Sequence, residues 1–245
     1  SSNINPPAAP KTSAMFGEWQ EKYYNEVGGN MTGDLSHLAS SPYDFGQMAG
    51  RYESWYSTPA GLAHDRVQKK DVRHLLRPGL GGERLLDVGC GTGHWSSFFA
   101  SMGYQVTGVD ISPEMIAAAK VEATECSFEI ADACNLPFED GAFAVAASMA
   151  TLEFVADPPA MVREMARCTK PGGSLIIGTL NRLAPLNQQR LAEERPPYSS
   201  ANLLTPQEVR KLLQPYGKIR IAASSVEPRE KQSLNGPFIV AEVRT

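Results

Sequence analysis

From residue 84 onward, short apolar runs of β-forming residues alternate with segments of helical pattern, and few architectures accept such a chain. The runs are RLLDVG, QVTGVD, CSFEIAD, AFAVAAS and GSLIIGTL, interleaved with GHWSSFFASM, SPEMIAAAKVE and DPPAMVREMARCTK. Alternation of this kind builds a parallel sheet with crossover helices. The runs are almost continuously apolar, as strands are when both faces are covered, and Gly or Pro separates them, as at Pro171-Gly172-Gly173. Two last runs, KIRIAAS and GPFIVAEV, have only a polar loop between them. With no crossover helix available, they predict an antiparallel hairpin.

Several helix ends are legible residue by residue. In Ser112-Pro113-Glu114 a serine can cap, a proline suits the first helical position, and a glutamate faces the positive end of the dipole. Thr205 and Glu208 have the spacing of a reciprocal capping box, and their helix runs toward Gly217. Upstream, residues 1–14 are rich in Pro, Ala and Ser without periodicity and are expected to form a disordered tail. Residues 15–78 read as a helical extension dense in aromatics: Trp19, Tyr23, Tyr24, Tyr43, Phe45, Tyr52, Trp55 and Tyr56. Its last helix should start near Pro59 and stop by Pro78-Gly79, with Val72, Leu75 and Leu76 on one face. Residues 79–245 are then the main domain.

A net charge of −4 gives no overall attraction for phosphate backbones, so nucleic acid is not an expected partner. No apolar run approaches the roughly 18 residues of a membrane span. The opening SSNINPPAAP has neither the basic start nor the apolar stretch of a secretory signal, and a cytoplasmic location is expected. Cys90, Cys126, Cys134 and Cys168, with His37, His64, His74 and His94, show neither CxxC nor zinc-ribbon spacing, so no metal site is expected.

In open parallel sheets ligands bind beyond the carboxyl ends of the strands. The first run ends in Asp87-Val88-Gly89-Cys90-Gly91-Thr92-Gly93, where alternate glycines let the backbone turn tightly and approach a ligand. The helix that follows points N–H groups at the same place. A dinucleotide fingerprint, GxGxxG, would require glycine where His94 stands. The second run ends at Asp110, 19 residues beyond Gly91, where a carboxylate can accept from both hydroxyls of a ribose; capping of the next helix is the competing role. The third leads into Ala131-Asp132-Ala133 and then Leu136-Pro137-Phe138, an acceptor beside apolar groups suited to an adenine ring.

Taken together, Asp87 to Gly93, Val106 to Asp110, Asp132 to Phe138 and Pro171-Gly172-Gly173 resemble the class I S-adenosylmethionine-dependent methyltransferases. Within them the chain is most similar to the small-molecule group that includes ubiquinone and menaquinone biosynthesis enzymes. The resemblance implies a Rossmann-like α/β fold: a seven-stranded, mostly parallel sheet with an antiparallel C-terminal hairpin and helices on both faces, plus the helical N-terminal extension. It implies S-adenosylmethionine as cofactor, its methionine part on Asp87, Gly89 and Gly91 and its ribose on Asp110. Ile111 and Met115 would flank the adenine, Asp132 and the Ala133 N–H would meet its edge, and Ser148 would lie near the amino group.

The implied reaction is methyl transfer by in-line displacement to a small-molecule acceptor. Many relatives carry a histidine after the fourth strand, where this chain has Thr151-Leu152-Glu153-Phe154. Candidate bases are therefore Glu153, Tyr52, Tyr56 and His64, with a solvated or capping role as the alternative for Glu153. Two segments are expected to wall the acceptor. One is residues 45–61, whose Tyr52, Trp55 and Tyr56 either close over the sulfonium or clamp the N-terminal helices. The other is the long connection of residues 181–204, opened by Asn181 and Arg182. Arg182 reads as a partner for an acidic acceptor or as a surface charge. Rival readings are a non-catalytic cofactor-binding protein that acts through a protein partner, and an NAD-dependent oxidoreductase.

Overall fold

The computed structural model describes residues 45–46, 49–194, 197–225 and 234–245, with the side chains of residues 49–52 left out. The expected tail, residues 1–14, and half of the aromatic extension lie outside the described residues. So does the side chain of Tyr52.

Among the described residues, helices α1 (Ala49–Tyr56) and α2 (Pro59–Leu75) precede the sheet. Helix α2 starts at the expected proline, with Thr58 accepting the Gly61 N–H, and stops at Leu76. The alternating part follows as β1 (Arg84–Val88), α3 (His94–Ser101), β2 (Gln105–Asp110), α4 (Pro113–Glu122), β3 (Ser127–Ile130) and β4 (Phe143–Met149). Next come α5 (Pro158–Cys168), β5 (Thr169–Leu180), α6 (Pro185–Ala192), α7 (Pro206–Leu213), β6 (Lys218–Ser224) and β7 (Phe238–Arg244). All seven strands form one sheet in the order β3-β2-β1-β4-β5-β7-β6. Strands β1 to β5 pair in parallel, while β7 runs antiparallel to both β5 and β6, so the expected hairpin is present.

The central strands β1, β4 and β5 are largely apolar because successive residues feed two cores. Leu86 and Val88 of β1 pack with Met161 and Met165 of α5 and Val209 and Leu213 of α7. Leu85 faces the other way, toward Val72 and Leu75 of α2 and Trp95, Phe98 and Phe99 of α3. Caps act where the sequence placed them: Ser112 Oγ accepts the Met115 N–H, and Thr205 and Glu208 complete the capping box.

Three local expectations need correction. Residues 181–204 are not an unstructured connection: Pro185 starts α6, and a short 3-10 turn covers Tyr198–Ser200. Strand β5 begins at Thr169, inside the segment read as the end of a helix, and meets β4 with a shift of register. Leu136 and Phe138 belong to the core; the Phe138 ring meets Phe143 edge-on at 5.0 Å.

Candidate functional site

The chain runs outward from β1 through β2 to β3, then returns to β4 on the other side of β1. That reversal opens a crevice beyond the carboxyl ends of β1 and β4, where open α/β sheets bind ligands. The glycine turn lies across it. Gly89 has φ +71°, and a Cβ there would stand 2.2 Å from Thr151 Cγ2. Gly91 has φ +53° and nothing within 4 Å of the same position, so its backbone borders open space.

Two buried polar atoms at this crevice have no partner among the described residues: Asp87 Oδ1 and Ser148 Oγ. Asp87 pairs in register with Ala147, so Ser148, one residue further along β4, lies on the neighbouring strand end but faces the other side of the sheet. The other oxygen of Asp87 accepts the Ser96 hydroxyl at 2.7 Å. Burial pushes Asp87 up to about 7, against the Ser96 hydrogen bond and with help from the charge of Asp110. Orphaned buried acceptors are rare in folded proteins and call for an explanation. A ligand bearing an ammonium donor would satisfy Asp87 Oδ1.

Asp110 stands on β2 beside this turn. Its two oxygens accept the Gly91 and Ser112 N–H groups, each at 2.9 Å. Burial raises its pKa, opposed by those backbone hydrogen bonds. Sequence reasoning had not seen that Asp110 also braces the glycine turn; the 19-residue spacing is the trace of it. Each oxygen keeps a lone pair, enough for two ligand hydroxyls. Ile111 and Met115 follow on this side, Met115 buried in the first turn of α4. Asp132 and Ala133 sit in the turn after β3, where Asp132 Oδ1 accepts the Cys134 N–H at 2.8 Å. The cofactor-side candidates therefore converge on the ends of β1 to β4, and an open backbone, an unpaired acceptor and a hydroxyl-accepting acid fit S-adenosylmethionine.

A second cavity, about 220 Å³, lies beyond β4 and β5 and is lined by Tyr56, His64 and Glu153. Three of the four proposed bases thus share one space. Glu153 is only 1 % exposed, so it is not solvated, and its side chain caps no helix. Thr179 Oγ1 donates to it at 2.8 Å and the Leu180 N–H at 3.2 Å. Burial pushes its carboxyl up to about 7, partly offset by these hydrogen bonds. Burial, and after it the charge of Arg190, lowers the pKa of His64 and so disfavours its charged form. Ala150, at the mouth of β4, holds a left-handed φ of +56°, a strain that accumulates at functional sites and that no sequence signal disclosed.

Both expected wall segments contribute to this cavity: Phe45, Trp55 and Tyr56 from one, Leu186, Arg190 and Tyr198 from the other. Tyr56 also stacks on His94, ring centroids 3.7 Å apart. His94, standing where the dinucleotide fingerprint wants glycine, donates from Nε2 to Asp65 Oδ1 at 2.7 Å. Burial opposes protonation of His94, but Asp65 and Glu53 hold its pKa above the ordinary value. Glu53 in turn receives the Thr92 hydroxyl. Helices α1 and α2 are thereby fastened to the start of α3. Arg182 is taken by Glu208 at 2.6 Å, which makes it a surface ion pair. Among the described residues no cluster suits a metal, and no helix is long and apolar enough to cross a membrane.

A family model described as a methyltransferase domain matches residues 86–177. Ubiquinone biosynthesis O-methyltransferase of Xanthomonas oryzae is 42 % identical over 108 residues, which are 42 % of this chain and 45 % of that protein. The chain thus spans about half the length of the curated relatives it matches. An S-adenosylmethionine-dependent methyltransferase of Thermotoga maritima, described as a possible histamine N-methyltransferase, aligns with TM-score 0.67 and 25 % identity over 82 % of this chain and 97 % of that one. Phosphoethanolamine N-methyltransferase 2 of Haemonchus contortus, solved with S-adenosylmethionine, shares the fold at TM-score 0.58 and 18 % identity, over 82 % and 60 % of the two chains. These relatives do not favour the nicotinamide alternative. The domain model over its central strands, the shared sheet and the glycine turn between β1 and α3 support a class I S-adenosylmethionine-dependent methyltransferase domain in this chain.

Proposed function

We propose that the protein methylates a small-molecule acceptor seated in the cavity beyond β4 and β5. The observation that carries this reading is the unpartnered buried acceptor Asp87 Oδ1 at the end of β1, where the glycine turn begins and the backbone of Gly91 borders open space. In this reading Asp87, Gly89, Gly91 and Ser148 hold the methionine part of S-adenosylmethionine, and Asp110 its ribose. Ile111, Met115, Asp132 and Ala133 enclose the adenine. When bound, the cofactor supplies an activated sulfonium methyl group.

The chain's own residues supply position, dryness and a place for a proton. Trp55, Tyr56, Phe154 and Phe238 line the cavity and exclude water, and orientation of two reactants is worth roughly 7–11 kcal/mol. Glu153 takes the proton of the attacking group on a carboxylate oxygen. Its pKa near 7 suits a base that must be half deprotonated at neutral pH. Thr179 and Leu180 fix its orientation. His64 and Tyr56 are the other groups able to contact an acceptor here, and Tyr52 follows on α1.

The test is a titration of the purified protein with S-adenosylmethionine, S-adenosylhomocysteine and NAD, followed by an S-adenosylhomocysteine-release screen over small-molecule acceptors. Asp110→Ala should weaken S-adenosylmethionine by at least about tenfold, since each hydrogen bond to a charged acceptor contributes about 1.5–3 kcal/mol. Preference for NAD would overturn the reading. Binding of S-adenosylmethionine with no product from any acceptor would move the protein to a non-catalytic, partner-dependent role.

A further inference from the structure

We infer that the acceptor is a flat, largely apolar molecule carrying a carboxylate, and that Arg190 is the residue that selects it. The inference rests on the reading of this cavity as the acceptor site. Most of the lining is aromatic or aliphatic, and among its described residues Arg190 is the one permanent cation. Aromatic walls of this kind favour a planar occupant, because rings gain by stacked or edge-on contact beyond the area they bury.

Arg190 is held ready. Its guanidinium lies over the Tyr198 ring, 4.8 Å from the centroid, and one donor reaches Asn187 Oδ1 at 3.3 Å. Neither partner carries negative charge. No described carboxylate forms an ion pair with it, and Glu153, the acid that lines the same cavity, instead accepts from Thr179 and Leu180. Arg182, eight positions earlier in the same segment, shows the contrast: its charge is spent on Glu208. A planar guanidinium, stacked on one face and lacking an anion, presents the fork of donors that matches a carboxylate in two parallel hydrogen bonds.

A basic residue in the last turn of a helix also complements the helix dipole, and Arg190 occupies that turn of α6. That role asks for no cavity and no stacking on Tyr198. The field of Arg190 does reach into the cavity, since it helps to lower the pKa of His64. An anionic acceptor therefore finds there one fixed positive charge and an imidazole whose charged form is disfavoured.

The experiment compares a charged probe with its neutral counterpart, which carries one additional methyl group: 3-(4-hydroxyphenyl)propanoate and its methyl ester. Their affinities are measured by calorimetry on the full chain, with and without S-adenosylhomocysteine. The acid should bind at least tenfold more tightly than the ester. Arg190→Gln should remove that preference, leaving ester and S-adenosylhomocysteine affinities unchanged, and Arg190→Lys should restore part of it. Equal affinity for acid and ester, no binding of the acid, or an undiminished preference in Arg190→Gln overturns the inference. Because the readout is binding, it stays separate from the fate of the catalytic reading, which falls if S-adenosylmethionine does not bind or no acceptor is methylated.

Discussion

The crevice at β1 to β3 and the cavity beyond β4 and β5 are built in opposite ways. The first is assembled by backbone: a glycine turn, strand ends and two carboxylates whose distances along the chain are short. The second is assembled by side chains drawn from Phe45 to Phe238, most of the length of the protein. A site made of backbone tolerates little change and serves one ligand; a site made of side chains can be rebuilt for another acceptor while the sheet stays the same.

That contrast can be broken at its rigid end first. Gly89→Ala should give the largest effect, because the residue needs a left-handed φ and its new Cβ would collide with Thr151. We expect a loss of about 2–5 kcal/mol of stability from conformational strain and overpacking together, with collapse of cofactor binding. Denaturant unfolding and calorimetry check this. Gly91→Ala is the control: with no collision it should cost stability only about 1–2 kcal/mol for the φ alone. Equal losses at the two positions would remove the steric account.

Glu153→Gln sharpens the other side. As a base, Glu153 should contribute about 10²- to 10⁴-fold to kcat, with S-adenosylmethionine affinity unchanged. The parent's rate should climb with pH through about 7 and the variant's should not. Stability carries an independent sign. The carboxyl titrates near 7 when folded, against an ordinary value of 4.5, so between those values the native state binds more protons than the unfolded one. Stability should therefore fall as pH rises through that window, and Glu153→Gln should flatten the slope, leaving the part due to Asp87. Superimposable melting-temperature profiles for parent and variant would show that burial of Glu153 is not the cause. The smallest effect is expected at Arg182→Ala, whose exposed ion pair with Glu208 is worth about 0–1 kcal/mol and touches neither site.

The same contrast explains what could be read from the amino-acid order. Strand ends and caps are local, so Asp87, Asp110 and Ser112 stand where their neighbours place them. Leu136 and Phe138 misled because an apolar residue after a strand looks the same whether it faces a ligand or the core. Glu153 was legible as a position but not as an environment: its burial depends on β5 supplying Thr179 and Leu180. Arg190 and Tyr198 went unread within residues 181–204. There Pro185 was the one helix signal, and Ala184 before it provides no side-chain cap.

Glu53 and Tyr56 of α1 grip Thr92 and His94, while Tyr56 and the adjoining Trp55 also border the cavity. A displacement of α1 would therefore disturb both the cavity wall and the first turn of the helix behind the glycine bend, so the two chambers share one structural element.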